Sequence, residues 1–212
     1  MGRREKREQE VEEMKLDIIN AAVQLFTAEG YENVSMRKIA QKIEYSPTAI
    51  YNYFASKEEI HQHLLSYSYR IFLNSLEEAV TKSEGSSEEE RLNAVLYGYI
   101  GFGLSNPEYY QFIFIGNIDQ QHQMDLPNND RYKGFLLLME SVKRAMDSKV
   151  IKTADVQLVS QSIWASLHGI TSLLIKFPGF HWANEDSLIQ FHVEAILKGI
   201  QIENKVGGDM IG

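Results

Sequence analysis

Between Ser35 and Phe54 the chain reads SMRKIAQKIEYSPTAIYNYF, and no other stretch constrains the fold as tightly. Ser35 is of the type that caps a helix, and Ile39, Ala40 and Ile43 then fall on one helical face. Ser46 caps a second helix whose first position is Pro47, where a missing N–H costs nothing and φ is already helical. Only Glu44 and Tyr45 stand between the two, so the helices must cross steeply. The second helix carries too few apolar residues to be core all round.

A steep helix pair of this kind can present its second helix to the major groove of DNA. Thr48, Ala49 and Asn52 project on the side opposite Ile50 and Phe54. Thr and Asn hydrogen-bond base edges, and Ala or Thr methyls touch thymine methyls. Ser35, Arg37, Tyr51, Tyr53 and Lys57, with the N–H groups at the two helix starts, suit phosphates. The competing reading packs Tyr51 and Tyr53 against the preceding helix and leaves Arg37 merely solvated.

A net charge of −8 disfavours a broad nucleic-acid surface. Acidic side chains outnumber basic ones even within residues 1–60, so basic surface is confined to stripes. These are Arg3, Arg4, Lys6 and Arg7, then Arg37, Lys38 and Lys42. The absence of cysteine excludes disulfides and thiolate zinc sites and fits a reducing cytoplasm. The N-terminal MGRREKREQEVEEMK lacks the apolar segment of a signal peptide. Apolar runs are broken well before the length of about 18 residues that reads as a membrane span. There is no nucleophile elbow, phosphate-cradling glycine loop or HExxH helix. His61 and His63 are two apart and point in different directions, while His122 stands alone in a polar loop. Neither an enzyme, a metal nor a cofactor is expected.

The remaining chain reads as all-α. A first helix spans about Glu12–Glu29, with Ile18, Ile19, Ala22, Val23, Leu25 and Phe26 on its apolar face and Gly30 as its stop. Ser56 with Glu59 reads as a capping box that opens a helix to about Val80, and Ser87 with Glu90 opens another to about Leu104. Further helices fall near Glu108–Ile115, Arg131–Lys149, Ala154–Phe177 and Glu185–Glu203, with a polar loop over Gly116–Asp130. The expected organisation is a charged arm over 1–13, a helix-turn-helix domain over 14–56, a helical body over 57–205 and a disordered tail over 206–212. The boundary between head and body falls near Ala55.

The run from Ile18 to Leu64 resembles the DNA-binding head of the TetR family of bacterial transcription regulators. The resemblance rests on the AlaAla-x-x-x-Phe helix, Gly30-Tyr31, Ser35, Ile39-Ala40, Ser46, Ile50-Tyr51, Phe54 and Ser56-Lys57-Glu58-Glu59. It implies a homodimer that binds a double-stranded, palindromic operator and a body that senses a small molecule. It also implies DNA contact at Ser46, Pro47, Thr48, Ala49, Tyr51 and Lys57. Glu44 stands where the family often has a turn glycine, which suggests a turn accommodated without a φ > 0 glycine. Thr48-Ala49 replaces a frequent Gly-Thr pair, so the analogy does not give the operator sequence. Trp164-Ala-Ser-Leu-His168-Gly169 resembles the Trp-x-x-x-His-Gly signature of one C-terminal subclass.

Two features of the body bear on partners. Tyr99, Phe102, Tyr110 and Phe114 belong to a dense aromatic run, and Trp164 and His168 lie one helical turn apart, so these six are candidate ligand contacts. Simple core packing is the competing account of each. Ser162, Ala165, Gly169 and Ser172 form a small-residue stripe, matched by Leu188, His192, Ala195 and Gly199 on the last helix. Two such helices from each of two chains make a four-helix interface. Packing within one subunit is the alternative on periodicity alone, and the resemblance favours the dimer. The combined expectation is an all-α cytoplasmic regulator, a repressor released from its operator by a ligand. A ligand-independent or activating helical regulator is the alternative.

Overall fold

The computed structural model describes residues 2–116 and 130–201, and the regular elements among them are helices. In chain order they are α1 (Arg3–Glu29), α2 (Met36–Lys42), α3 (Pro47–Ile50), α4 (Lys57–Lys82), α5 (Glu88–Ser105), α6 (Pro107–Tyr110), α7 (Asp130–Asp147), α8 (Val156–Lys176) and α9 (Glu185–Ile200). The tail over 206–212, His122 and nearly all of the polar loop expected over Gly116–Asp130 lie outside the described residues.

Helix α1 begins at Arg3, so the charged segment expected as a separate arm over 1–13 is helical from its third residue. Its side chains pair along the helix, Arg4 with Glu8 at 2.9 Å and Gln9 with Glu13 at 3.0 Å. Each such pair contributes only about 0.2–0.5 kcal/mol, but Arg, Glu, Lys and Gln are also strong helix formers. The second half of α1 buries Ile18, Ile19, Ala22, Val23 and Phe26 with Ile39 and Ala40 of α2, Ile50 of α3 and Ile60 and Leu64 of α4.

The α2–α3 turn forms with both of its expected caps. Ser35 Oγ accepts from Lys38 N–H and Ser46 Oγ from Ala49 N–H, so both caps are made. The turn does without a glycine, but it keeps the left-handed conformation, with Glu44 itself at φ 60°. The geometry demands it: Tyr45 N–H must reach back to the Ala40 carbonyl at 2.9 Å. The expected Ser56 box is half formed. Glu59 N–H donates to Ser56 Oγ, but the Glu59 carboxylate accepts from Ala55 N–H at 2.6 Å. The Ser87–Glu90 box is fully reciprocal.

The chain resolves into two compact units, Met1–Phe72 with Ser105–Leu126 and Leu73–Leu104 with Pro127–Gly212. The division falls inside α4 and at the α5–α6 junction rather than near Ala55. The cause is the segment after α5, which packs on the head. Tyr109 donates its hydroxyl to Asn20 of α1, and burial, with Tyr67 and Glu108 nearby, pushes that phenol up to about 12. Phe112 lies against Phe26 and His61 at centroid distances of 6.4 and 5.2 Å. Residues Gln111–Ile115 form a single π turn, closed by Gly116 N–H on the Gln111 carbonyl at 2.7 Å. Such turns insert one residue into a helix and re-aim its side chains.

In the second unit, α5, α7, α8 and α9 enclose Leu92, Leu96, Val142, Ile163, Leu167 and Val193. Arg144 of α7 grips Glu88 at the start of α5 with two bonds of 2.6 and 3.0 Å, holding that carboxyl below the usual range. Lys152 N–H donates to the Ile200 carbonyl at 2.7 Å, tying the α7–α8 connection to the end of α9. By length and composition alone α8 would be long and apolar enough to cross a membrane, a test that core helices also pass. Its apolar stripe is instead occupied, with Ile163, Leu167, Ile170 and Leu174 buried inside the unit.

The Glu44 turn gives a direct test. A non-glycine residue in the left-handed region costs about 1–2 kcal/mol. Glycine there removes that strain and gives back about 0.5–1 kcal/mol in unfolded-chain entropy. Glu44→Gly is therefore expected to stabilise the protein by roughly 0.5–1 kcal/mol, seen as a higher urea midpoint at unchanged slope. A lower midpoint contradicts the assigned backbone conformation.

Candidate nucleic-acid interface

Helix α3 is one turn long, and a turn of helix has no stability of its own in water. It is held from two sides. Ile50 and Phe54 are each only 1% exposed and anchor it in the head core. Ser46 and Pro47 fix its start, and the chain continues as tight turns, with Tyr53 and Phe54 N–H both donating to the Ile50 carbonyl. With Ile50 and Phe54 turned inward, Thr48 and Asn52 are left exposed on the outer side and Ala49 half-buried. This is the face that the spacing predicts for base contact.

The flanking residues divide more finely than the sequence suggests. Ser35, Arg37, Ser46, Pro47 and Tyr51 are exposed. Tyr53 packs against the head core, so one of the two tyrosines follows the competing reading. Lys57 is half-buried: its Nζ donates to the Tyr31 carbonyl at 2.9 Å and lies 4.0 Å from the centre of the Tyr31 ring. Tyr31 in turn donates its hydroxyl to Glu58 at 3.0 Å, and the local backbone N–H first, with this hydroxyl second, holds the Glu58 carboxyl below its ordinary range. Lys57 therefore braces the start of α4 against the turn that follows α1. Lys38 is engaged by Glu29 and the Asn33 carbonyl. Arg37 and Lys42 are exposed and enter no ion pair among the described residues. Tyr45, read only as a turn residue, is 46% exposed beside Ser46 and adds a phenol to this face. An aromatic residue next to a helix cap is too common a pattern to have flagged it.

The six candidate ligand contacts separate. Tyr110 and Phe114 lie in the first unit, where the Phe114 ring meets Tyr110, Phe72 and Tyr69 at 5.0, 5.2 and 6.4 Å. Tyr99, Phe102, Trp164 and His168 lie in the second. There Trp164 Nε1 donates to Tyr99 Oη at 3.2 Å, Tyr99 Oη lies 3.4 Å from His168 Nδ1, and the Phe135 ring packs 5.8 Å from Trp164. Burial pushes His168 down, which keeps its ring neutral near pH 7. Tyr99, Phe102 and Tyr110 are buried. His61 and His63 diverge as expected, His61 onto Phe112 and His63 onto Phe54.

The small-residue stripes are not packed inside the chain. Ser162, Ala165, Ala195 and Gly199 are exposed, and Gly169, Ser172, Leu188 and His192 are half-buried. A Cβ built on Gly169 or Gly199 meets nothing within 4 Å. His192 Nε2 donates to the Ser166 carbonyl at 3.1 Å, so this one member of the set ties α9 to α8 within the subunit. Leu158 and Phe191, 64% and 73% exposed, add large apolar area to the same two helices.

Comparison with known proteins agrees with this geometry. Residues 18–64 match the family described as bacterial regulatory proteins, tetR family, and residues 92–196 match one described as Tetracyclin repressor-like, C-terminal domain. The chain is 23% identical over 192 residues to the uncharacterized HTH-type transcriptional regulator YobS of Bacillus subtilis, covering 89% of this chain and 93% of that protein. It is 27% identical over 156 residues to the fatty acid metabolism regulator protein of the same organism, covering 72% and 78%. The solved structure of the fatty acid degradation regulator FadR from Bacillus halodurans shares the fold, with a TM-score of 0.70 at 20% identity over 86% of this chain and 94% of that one.

The cap at α3 should behave as a cap. Ser46→Ala is expected to cost about 1 kcal/mol in urea unfolding and Ser46→Gly only a few tenths. Equal losses from both variants would show that the Ser46 hydroxyl does not hold this turn.

Proposed function

The chain belongs to the TetR family of bacterial regulatory proteins and is a DNA-binding transcriptional regulator, and we propose that it is a repressor whose homodimer leaves a palindromic operator when a small molecule binds its body. The single observation that carries the DNA reading is the outward face of α3, with Thr48 and Asn52 exposed while Ile50 and Phe54 lock the helix from behind. Thr48, Ala49 and Asn52 read base edges. Ser35, Arg37, Ser46, Pro47, Tyr51 and the outer edges of Tyr53 and Lys57 set the register on the phosphates.

The exposed stripes of α8 and α9 support a four-helix dimer interface. Small residues let partner helices approach closely, and Leu158 and Phe191 supply the apolar area that a lone chain leaves in water. Such a dimer sets two α3 helices about one DNA turn apart, roughly 34–36 Å, as adjacent major grooves require. A ligand that binds better to another spacing draws the population off DNA, and DNA reciprocally weakens that ligand. Helix α4 runs from the head at Lys57 into the second unit at Lys82 and is the continuous element through which such a change passes. The protein works in the cytoplasm with its operator. Two relatives carry names tied to fatty acid metabolism, so genes of that metabolism are the first in which to seek the operator.

Three substitutions test this reading. Thr48→Ala and Asn52→Ala are each expected to lose about 1–3 kcal/mol of discrimination at particular operator base pairs. Arg37→Ala is expected to weaken matched and scrambled sites alike and to reduce the salt slope by about one. Equal effects of all three on both kinds of site would sink the assignment of base reading to α3. For the interface, Ala165→Glu leaves the single chain folded because the site is exposed, but it sets like charges against each other across a two-fold axis. Sedimentation should then show monomer where the parent protein shows dimer. A dimer of unchanged strength would contradict this interface.

A further inference from the structure

Four polar side chains among the described residues are buried: Ser68, Ser83, Ser160 and Thr171. Three of them return their hydroxyl to a nearby carbonyl of their own chain, Ser68 to Leu64, Ser160 to Val156 and Ser83 to Val80, at 2.6, 2.7 and 2.8 Å. Thr171 does not. It is 0% exposed, and its Oγ1 has no hydrogen-bond partner. An unsatisfied buried hydroxyl is costly, and native folds rarely keep one without a use for it.

The position of Thr171 suggests that use. Trp164, His168 and Thr171 follow one another on α8 at spacings of four and three, which places them on one ridge of the helix. The first two belong to the Trp164–Tyr99–His168 hydrogen-bond chain, beside the Phe135 ring. Aromatic surface with a few convergent polar groups is the usual make-up of a small-molecule site. No Asp, Glu, Lys or Arg is buried among the described residues, so none of these supplies a buried countercharge for a charged ligand. Burying a carboxylate or ammonium without a countercharge is prohibitive.

We infer that Thr171, with Tyr99, Trp164 and His168, forms the polar pole of the effector site, and that the effector is an uncharged, largely apolar molecule bearing a hydroxyl or carbonyl group. Thr171 Oγ1 donates to a carbonyl or exchanges a hydrogen bond with a hydroxyl, since it both donates and accepts. The burial that keeps His168 neutral agrees with an uncharged guest. This inference rests on the ligand-released reading given above and narrows its ligand class.

The test uses the full chain and a matched probe set: 1-naphthol and 2-acetylnaphthalene as uncharged polar probes, naphthalene as the apolar control and 1-naphthoate as the anion. Calorimetry and ligand-induced shifts in Tm are measured at pH 7 on the parent protein and on Thr171→Val. The two uncharged polar probes should bind saturably, more tightly than naphthalene, with naphthoate weakest. Thr171→Val should raise the Tm of the probe-free protein, because it removes an unsatisfied group. It should also weaken naphthol and acetylnaphthalene by about tenfold while leaving naphthalene unchanged. The inference is overturned if naphthoate binds as tightly as naphthol, or if neither uncharged polar probe binds. It is equally overturned if Thr171→Val lowers Tm and spares naphthol, as it would were the hydroxyl held by a structural water. Operator affinity is read in the same samples. Probe binding that depends on Thr171 without any change in operator affinity supports the site and defeats ligand release.

Discussion

Everything that the head does depends on the burial of Ile50 and Phe54 behind a helix too short to stand alone. Four residues of α-helix cannot form in isolation, because nucleation costs more than one turn returns. Two inward side chains, a serine cap and a proline at the first position make that turn part of the head core. The outer residues, Thr48 and Asn52, are then oriented without packing constraints of their own. This is how a chain with a net charge of −8 can still address DNA. On the reading proposed above, a few well-fixed contacts do this work and a broad cationic surface is not needed.

The head is not a closed module. Phe26, Tyr31, His61 and Phe112 form one aromatic cluster in which α1, α4 and the π turn after α6 meet. Asn20 and Tyr109 add a hydrogen bond between α1 and α6. The head therefore feels two stretches of chain that lead into the second unit, α4 directly and the segment that follows α5. Within the head, these side chains pack closely, so α1, α4 and the segment that follows α5 are held as one body.

Much of this was legible in the sequence, and the failures have physical causes. The caps at Ser35, Ser46 and Ser87 and the inward placement of Ile50 and Phe54 follow from local chemistry, which a sequence carries directly. The left-handed Glu44 was not legible, because the turn's need for positive φ is set by the backbone bond from Tyr45 to Ala40 and not by the residue that supplies it. The helical start of α1 was available in its run of strong helix formers but was masked by its charge. Helical periodicity also cannot assign an aromatic to one compact unit or another. Tyr110 and Phe114 parted from Tyr99, Trp164 and His168 because the π turn and the packing of α6 on α1 are tertiary choices.

The central claim is that the α2–α3 face reads DNA as a symmetric pair. Selection of bound fragments from genomic DNA with the purified full chain tests it most directly. The account predicts enriched fragments that share an inverted repeat, with half-site centres one helical turn, about 10–10.5 base pairs, or a multiple of it apart. The same selection with Asn52→Ala should return a repeat relaxed at particular positions. Fragments that share no inverted repeat, or an enrichment indifferent to Asn52, would contradict it.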